Sequence, residues 1–364
     1  MTSEAFRGTY SPTGGKRLCH GRPVRPLFIS PSRQTVLRPL STSRSVLVIK
    51  LGALGDIMQS LDAFHAIRAH HPVDRLILMT TQPFAAFGAA MPWFDAIWVD
   101  SRPKAWQLAA WVALAARLRR EPLSRVYDLQ SNQRTSLYFR LLAGPRRPDW
   151  SGAVAGCSHP RPDFLSLSGH NRDRLLAHVA SAGVPLIGPA DVTWLDSPID
   201  HFGLPERFVV MVPGCSPHRL YKRWPASHYA DLACRLERRG IAAVLIGTRA
   251  DREAIAEIRA LAPTVIDLAG RTNLLEVAGI ARAALGAIGN DTGPIFITAA
   301  VGAPTLMLMS HHTIAERMAP LGPAVLWLQR QSLSDLTVDE VEATLSLRDV
   351  GVPIREPAFP KDQR

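Results

Sequence analysis

The stretch SVLVIKLGALGDIMQSLDAFHAIRAH, residues 45–70, decides the fold. The aliphatic run Val46–Ile49 gives way to two glycines three apart, an aspartate, and then apolar residues at helical spacing. That order describes a strand that turns through a tight loop into a helix, read here as running from about Asp56 to His70. A dinucleotide fingerprint would carry G-x-G-x-x-G, and with only Gly52 and Gly55 the turn of a dehydrogenase is missing.

The same alternation continues downstream. RLILMT, AIWVD and RVYDLQ read as further strands, separated by helical stretches that end near Gly144. Residues 145–200 lose the rhythm and read as the end of a domain and an irregular linker, with one convincing helix at Asp173–Gly183. A second series opens with FVVMVPG and continues through AAVLIG, VIDLAG, LGAIGND and PTLMLM, each followed or preceded by a helix. Strands alternating with helices imply parallel βαβ units. The economical reading is an α/β protein of two doubly wound, Rossmann-like domains, residues 45–200 and 201–335, facing each other across a cleft. A final helix with capping-box spacing at Thr337 and Glu340 belongs to a C-terminal piece, 336–364, whose prolines leave its end frayed.

The net charge of +11 suggests nucleic acid until it is located. Residues 1–45 hold eight Lys and Arg against Glu4 alone, whereas the rest carries 34 basic and 30 acidic residues. Residues 1–44 therefore read as a disordered basic tail, and the folded part is near neutral, so no nucleic-acid partner is expected. Cys19, Cys157, Cys215 and Cys234 lie far apart without C-x-x-C spacing. They support neither a disulfide framework nor a zinc site, and they fit the cytoplasm. No apolar run is long enough to span a bilayer.

Three stretches of the second series carry chemistry. In GNDTGPIFITAA, Asp291 is placed as a helix N-cap, Pro294 suits the first turn, and Thr292 and Gly293 leave backbone N–H groups at the positive helix end, where a phosphate binds. Gly293 would let a pyrophosphate approach. In PGCSPHRLYKRWP, Ser216, Lys222 and Arg223 bring donors and cations to a strand-to-helix loop, and a lysine there suits a leaving group whose charge grows. In IGTRADREA, Asp251 can accept from the hydroxyls of a ribose. Each alone also describes an ordinary cap or basic loop. Together they describe a nucleotide-diphosphate pocket, which leaves the first domain to supply an acceptor loop, Lys50, Gly52 and Gly55, and a base, Asp56. The glycines keep that loop narrow enough for a substrate to reach its backbone.

Taken in order, KLGALGDIMQSLDAFHAIR (50–68), VPGCSPHRLYKRWPASHYADLA (212–233), LIGTRADREAIAEI (245–258) and GNDTGPIFITAAVGAPTLML (289–308) resemble glycosyltransferase family 9, the ADP-heptose:lipopolysaccharide heptosyltransferases. The resemblance implies a GT-B fold and an inverting, metal-independent transfer of heptose from ADP-heptose to inner-core lipopolysaccharide. It places the catalytic aspartate on Asp56, the lysine that contacts the donor phosphate on Lys222, the ribose ligand on Asp251 and the phosphate turn on Asp291, Thr292 and Gly293. It implies no cofactor beyond the nucleotide-sugar donor, and a lipid-linked anionic glycan as acceptor. The absence of any D-x-D triplet agrees with this. One position departs: Phe296 stands where members commonly have His. Two alternatives remain open, a relative using another nucleotide sugar or acceptor, and a non-catalytic nucleotide-sugar-binding protein. The segment KAWQLAAWVALAARLRR, Lys104–Arg120, reads either as a helix packed on its sheet or as one lying on the inner face of the cytoplasmic membrane.

Overall fold

The computed structural model describes residues 44–349 except 145–146, 164–168 and 217. The tail expected over 1–44 lies outside them save for its last residue, as does the chain beyond Asp349. Two six-stranded sheets account for the described strands, and every strand pair is parallel.

The first sheet contains β1 (Ser45–Ile49), β2 (Arg75–Thr80), β3 (Ala96–Val99), β4 (Leu123–Asp128), β5 (Asp149–Gly152) and β6 (His159–Pro160), in the order β3-β2-β1-β4-β5-β6. Its helices are α1 (Leu54–Met58), α2 (Leu61–His70), α3 (Gln82–Ala90), α4 (Leu108–Arg120), α5 (Gln133–Leu141) and α6 (Asn171–Ser181). The second contains β7 (Phe208–Val212), β8 (Ala242–Leu245), β9 (Ile266–Asp267), β10 (Gly286–Asn290), β11 (Thr305–Ser310) and β12 (Val325–Arg330), in the order β12-β11-β10-β7-β8-β9. Its helices are α7 (Ala226–Glu237), α8 (Arg252–Leu261), α9 (Leu274–Ala283), α10 (Gly293–Ala300), α11 (Ala315–Met318) and α12 (Val338–Thr344). The topology is thus used twice. In each sheet the order reverses beside its first strand, between β1 and β4 and between β7 and β10, and crevices at such switch points take ligands. β1, β7 and β10 are buried throughout, which explains why they read as unbroken rather than alternating apolar runs.

Three expectations change and one holds. The single helix from Asp56 to His70 is two, α1 and α2, separated at Gln59 and Ser60, where the Ser60 hydroxyl donates to the Asp56 carbonyl at 2.6 Å. Such side-chain bonds compete with the helical ladder. Residues 145–200 are not merely a linker: β5 and β6 extend the first sheet, and α6 packs against it and against α2. β5 offers one large apolar residue, Trp150, and β6 has two residues, one of them Pro160, so neither shows a period in sequence. β12 supplies a sixth strand to the second sheet that the alternation did not reveal. The capping box at Thr337 and Glu340 forms as read and starts α12.

The sheets are joined by a continuous apolar layer in which Leu54, Ile57 and Met58 of the first meet Ile295 and Phe296 of the second. Polar bonds secure the join. Gln59 donates to the Met318 carbonyl at 3.3 Å and accepts from Asn171 at 2.6 Å. His170 Nδ1 takes the Arg172 N–H at 3.1 Å, so Nε2 carries the hydrogen that meets the Ala319 carbonyl at 2.7 Å. Burial pushes the His170 imidazole below its ordinary range, which favours this neutral, single-tautomer arrangement.

Candidate functional site

A cleft of about 740 Å³ opens between the carboxyl ends of the two sheets. Its second-sheet wall contains Ser216, Asp251, Thr292 and Gly293, together with Thr248 and Asn273. Its first-sheet wall contains Ala53 and Leu54 of the acceptor loop and the rings of Phe84 and Phe87. Four of the expected donor residues therefore converge, although they come from three different strand-to-helix loops.

Asp251 ends a 3-10 turn, Arg249–Asp251, and is buried. Its Oδ2 accepts both the Thr248 N–H and the Thr248 hydroxyl, each at 2.8 Å. The rest of the carboxylate lies against Gly214, where a Cβ would stand 2.4 Å from Asp251 Cγ. Gly214 is thus what lets Asp251 into the wall.

Lys222 and Asp291 form an ion pair whose side chains are only 12% and 8% exposed. Thr313 donates to the same Asp291 oxygen at 2.8 Å. This corrects one expectation: Asp291 is not the N-cap of α10. That position is Thr292, with Pro294 in the first turn as anticipated. A second correction concerns Gly293. A Cβ there would sit 2.5 Å from Leu54 Cβ, so the missing side chain makes room for the first domain, while Gly293 itself lines the cleft.

The acceptor loop differs in the same way. Gly52, at φ 124°, makes room for the ring of Phe84, and Gly55 for the ring of Phe296, 2.7 and 3.0 Å from the would-be Cβ atoms. Phe296, which the resemblance marked as the departing position, is therefore a packing contact between domains. Asp56 stands in the first turn of α1, where its Oδ2 accepts the Ala53 N–H at 3.2 Å. Ala53 and Leu54 line the cleft, and Asp56, two residues on, does not. Lys50 is buried and donates to the Leu129 carbonyl at 3.2 Å, so it braces the loop from beneath instead of facing a substrate. Burial lowers its proton affinity, and Asp56 and Asp128 act against that shift. Burial raises Asp128 to about 6, although the N–H groups around it and Lys50 oppose the rise.

Residues that the sequence did not single out hold these loops in place. Asn290, fully buried at the end of β10, accepts from the Trp224 N–H at 3.0 Å and donates to the Pro213 carbonyl at 2.7 Å, tying the Lys222 loop to the Asp291 turn. Gln130 accepts the Leu51 N–H at 2.9 Å and does the same for the first sheet. Asn273 caps α9 in a box with Glu276, a spacing visible in NLLE. Among the described residues no group of three or more His, Cys, Asp or Glu could hold a metal ion, and no helix is long and apolar enough to cross a membrane.

Residues 191–341 match the model of glycosyltransferase family 9 (heptosyltransferase). The lipooligosaccharide heptosyltransferase 2 of Haemophilus influenzae is 38% identical over 92 residues, 24% of this chain. That match spans about a quarter of the relative's length, 27%. The ADP-heptose LPS heptosyltransferase II of E. coli superposes with a TM-score of 0.69 at 22% identity, covering 83% of this chain and 97% of that one. The E. coli heptosyltransferase WaaC with ADP-2-deoxy-2-fluoro heptose gives 0.65 at 20% identity, over 82% and 98% of the two chains. At these identities the structural likeness establishes the GT-B fold.

Proposed function

We propose that this chain, a member of glycosyltransferase family 9, transfers heptose from ADP-heptose to the inner core of lipopolysaccharide by a single inverting displacement without a metal ion. The observation that carries the reading is the convergence of Ser216, Asp251, Thr292 and Gly293 in one cleft, opposite Ala53 and Leu54 next to Asp56, with the Lys222–Asp291 pair linking the loops that carry Ser216 and Thr292. In this mechanism Asp56 takes the proton from the acceptor hydroxyl as its oxygen attacks the anomeric carbon. The bond to the diphosphate breaks on the opposite face, and the charge that develops there is met by Lys222 and the N-terminal N–H groups of α10. An ammonium has three donors, so Lys222 can keep Asp291 and still serve a phosphate oxygen. Asp251 accepts from the ribose. The enzyme works in the cytoplasm, with a lipid-linked anionic glycan as acceptor.

Phe296 favours a second reading, a relative that moves another sugar, because the polar contact expected at that position is replaced by packing on Gly55. A panel of nucleotide sugars separates the two. On the first reading ADP stabilises the protein in the presence of a chelator, by about 2.7 kcal/mol at a hundredfold excess over its dissociation constant, and ADP-heptose is the sugar nucleotide consumed. Preference for a uridine diphosphate, or a need for magnesium, overturns it. Binding without turnover on any acceptor identifies a non-catalytic binder.

A further inference from the structure

The outward face of α4 breaks the pattern of a surface helix. Residues 108–116 are LAAWVALAA, nine apolar positions in succession. Trp111, Leu114, Ala115 and Leu118 turn inward onto the core of the first sheet. That leaves Leu108 and Val112, one turn apart, 72% and 68% exposed, with Trp106 just ahead of the helix 73% exposed. A helix that has already met its core places polar residues on the other side. Here the first charge on the helix is Arg117.

The charges on the helix and its approach loop are basic, and the acids at either end are engaged elsewhere, Asp100 by the Tyr138 hydroxyl and Glu121 by Arg75. Residues 101–120 contain Arg102, Lys104, Arg117, Arg119 and Arg120 and no acid. Lys104 lies over the Trp106 ring, 5.1 Å from its centre. The position is also specific. Every strand of the sheet is parallel, so the loop from Asp100 to Gln107 leaves β3 at the edge that carries Asp56, and a backbone bond from the Asp100 N–H to the Thr80 carbonyl and a bond from the Thr81 hydroxyl to the Leu51 carbonyl connect the two. Arg134, at the start of α5, donates to the Pro103 carbonyl at 3.3 Å and fixes that loop.

We propose that Trp106, Leu108 and Val112 form a docking face that seats the protein on an anionic bilayer, with α4 parallel to the surface and the acceptor loop at its border. An in-plane helix with an apolar stripe and flanking cations has the chemistry of interfacial binding. A second copy of the chain suits the face less well. A two-fold contact brings a patch against itself, and this one would set its cations against the same cations. The proposal rests on the reading of a lipid-linked acceptor only for its purpose; the docking itself is measured without any sugar.

The test is cosedimentation of the full-length protein with vesicles of phosphatidylcholine, with and without phosphatidylglycerol. Partitioning onto the anionic vesicles is expected to weaken with salt. Leu108→Gln with Val112→Gln should lower it at least about tenfold, since each burial of an aliphatic side chain is worth roughly that factor. Arg119→Gln and Arg120→Gln should each lower it about fivefold at low salt. The basic residues of 1–43 are present in every protein compared, so the differences belong to the helix face. Both sites are exposed, and an unchanged melting temperature confirms that the variants fold. Equal partitioning of wild type and the Leu108/Val112 variant overturns the proposal. So does a variant that dissociates a dimer in lipid-free solution, which would make the face a self-interface. Vesicle binding by a protein that transfers no sugar strikes the proposed reaction and leaves the docking face standing.

Discussion

Replacing Lys222 by Met tests the most exposed joint of the argument, because two distinct losses should follow. The ammonium and the Asp291 carboxylate are nearly buried and share their oxygen with Thr313. Removing one partner of such a pair strands the other charge, at a cost of about 3–5 kcal/mol when burial is complete. With the side chains 12% and 8% exposed, the lower figure, about 3 kcal/mol, applies. At roughly 2–4 °C per kcal/mol for a domain of this size, the melting temperature should fall by about 6–12 °C. Asp291→Asn should cost a similar amount, and the double variant clearly less than the sum, with a coupling of about 1–3 kcal/mol. Turnover should separate the two residues. Losing the lysine removes a preorganised contact to developing charge and should lower turnover by about 10²–10³-fold. Asp291→Asn keeps the lysine and loosens its aim, so it should cost about tenfold. Thermal unfolding and steady-state transfer assays on the three variants give both readings. Additive stability losses would refute the pair as a buried unit. If Asp291→Asn slows transfer as much as Lys222→Met, then Asp291 touches the substrate itself.

Asp56→Asn keeps an acceptor for the Ala53 N–H and should fold and bind ADP normally, with transfer at least about 10²-fold slower; near-normal transfer would reduce Asp56 to a helix-start residue. Gly214→Ala places a methyl 2.4 Å from Asp251 Cγ and should weaken ADP binding while costing about 1–3 kcal/mol of stability, measured by calorimetry and urea unfolding; unchanged affinity would remove Asp251 from the site. The two shifted groups under the acceptor side give opposite pH signs. Asp128, raised to about 6, holds its proton more tightly when folded, so its contribution declines as pH rises from about 4 to 6, whereas His178, lowered to about 4 by burial, loses stability as pH falls through the same window. Relative to wild type, Asp128→Asn should therefore gain stability as pH rises and His178→Gln as pH falls. Parallel curves in urea titrations from pH 4 to 6.5 would show that neither group is buried as the structure has it.

Much of the architecture was legible because parallel strands buried on both faces announce themselves as aliphatic runs. Val46–Ile49 and Phe208–Val212 could be read as the first strands of two domains before any contact was known. β5 and β6 could not, since a short edge strand with Pro160 has no period to display. The donor residues were legible for a related reason. A strand-to-helix loop joins positions a few residues apart, and local spacing is what a sequence records. Asp251 after AAVLIG and Thr292 after LGAIGN were placed by that logic, and both line the cleft.

What the sequence could not decide was what each small residue makes room for. Gly52, Gly55 and Gly293 were read as openings toward a substrate, yet the nearest atoms belong to Phe84, Phe296 and Leu54. Two of those neighbours come from the opposite domain, far along the chain. The Lys222–Asp291 pair likewise joins loops 69 residues apart. Strand identity, loop chemistry and helix caps are local properties, fixed by neighbours in the chain and so visible in residue order. Which side chain fills a gap, and which charge meets which, depends on how two separately readable sheets close on each other, and that distance is set only when the whole chain has packed.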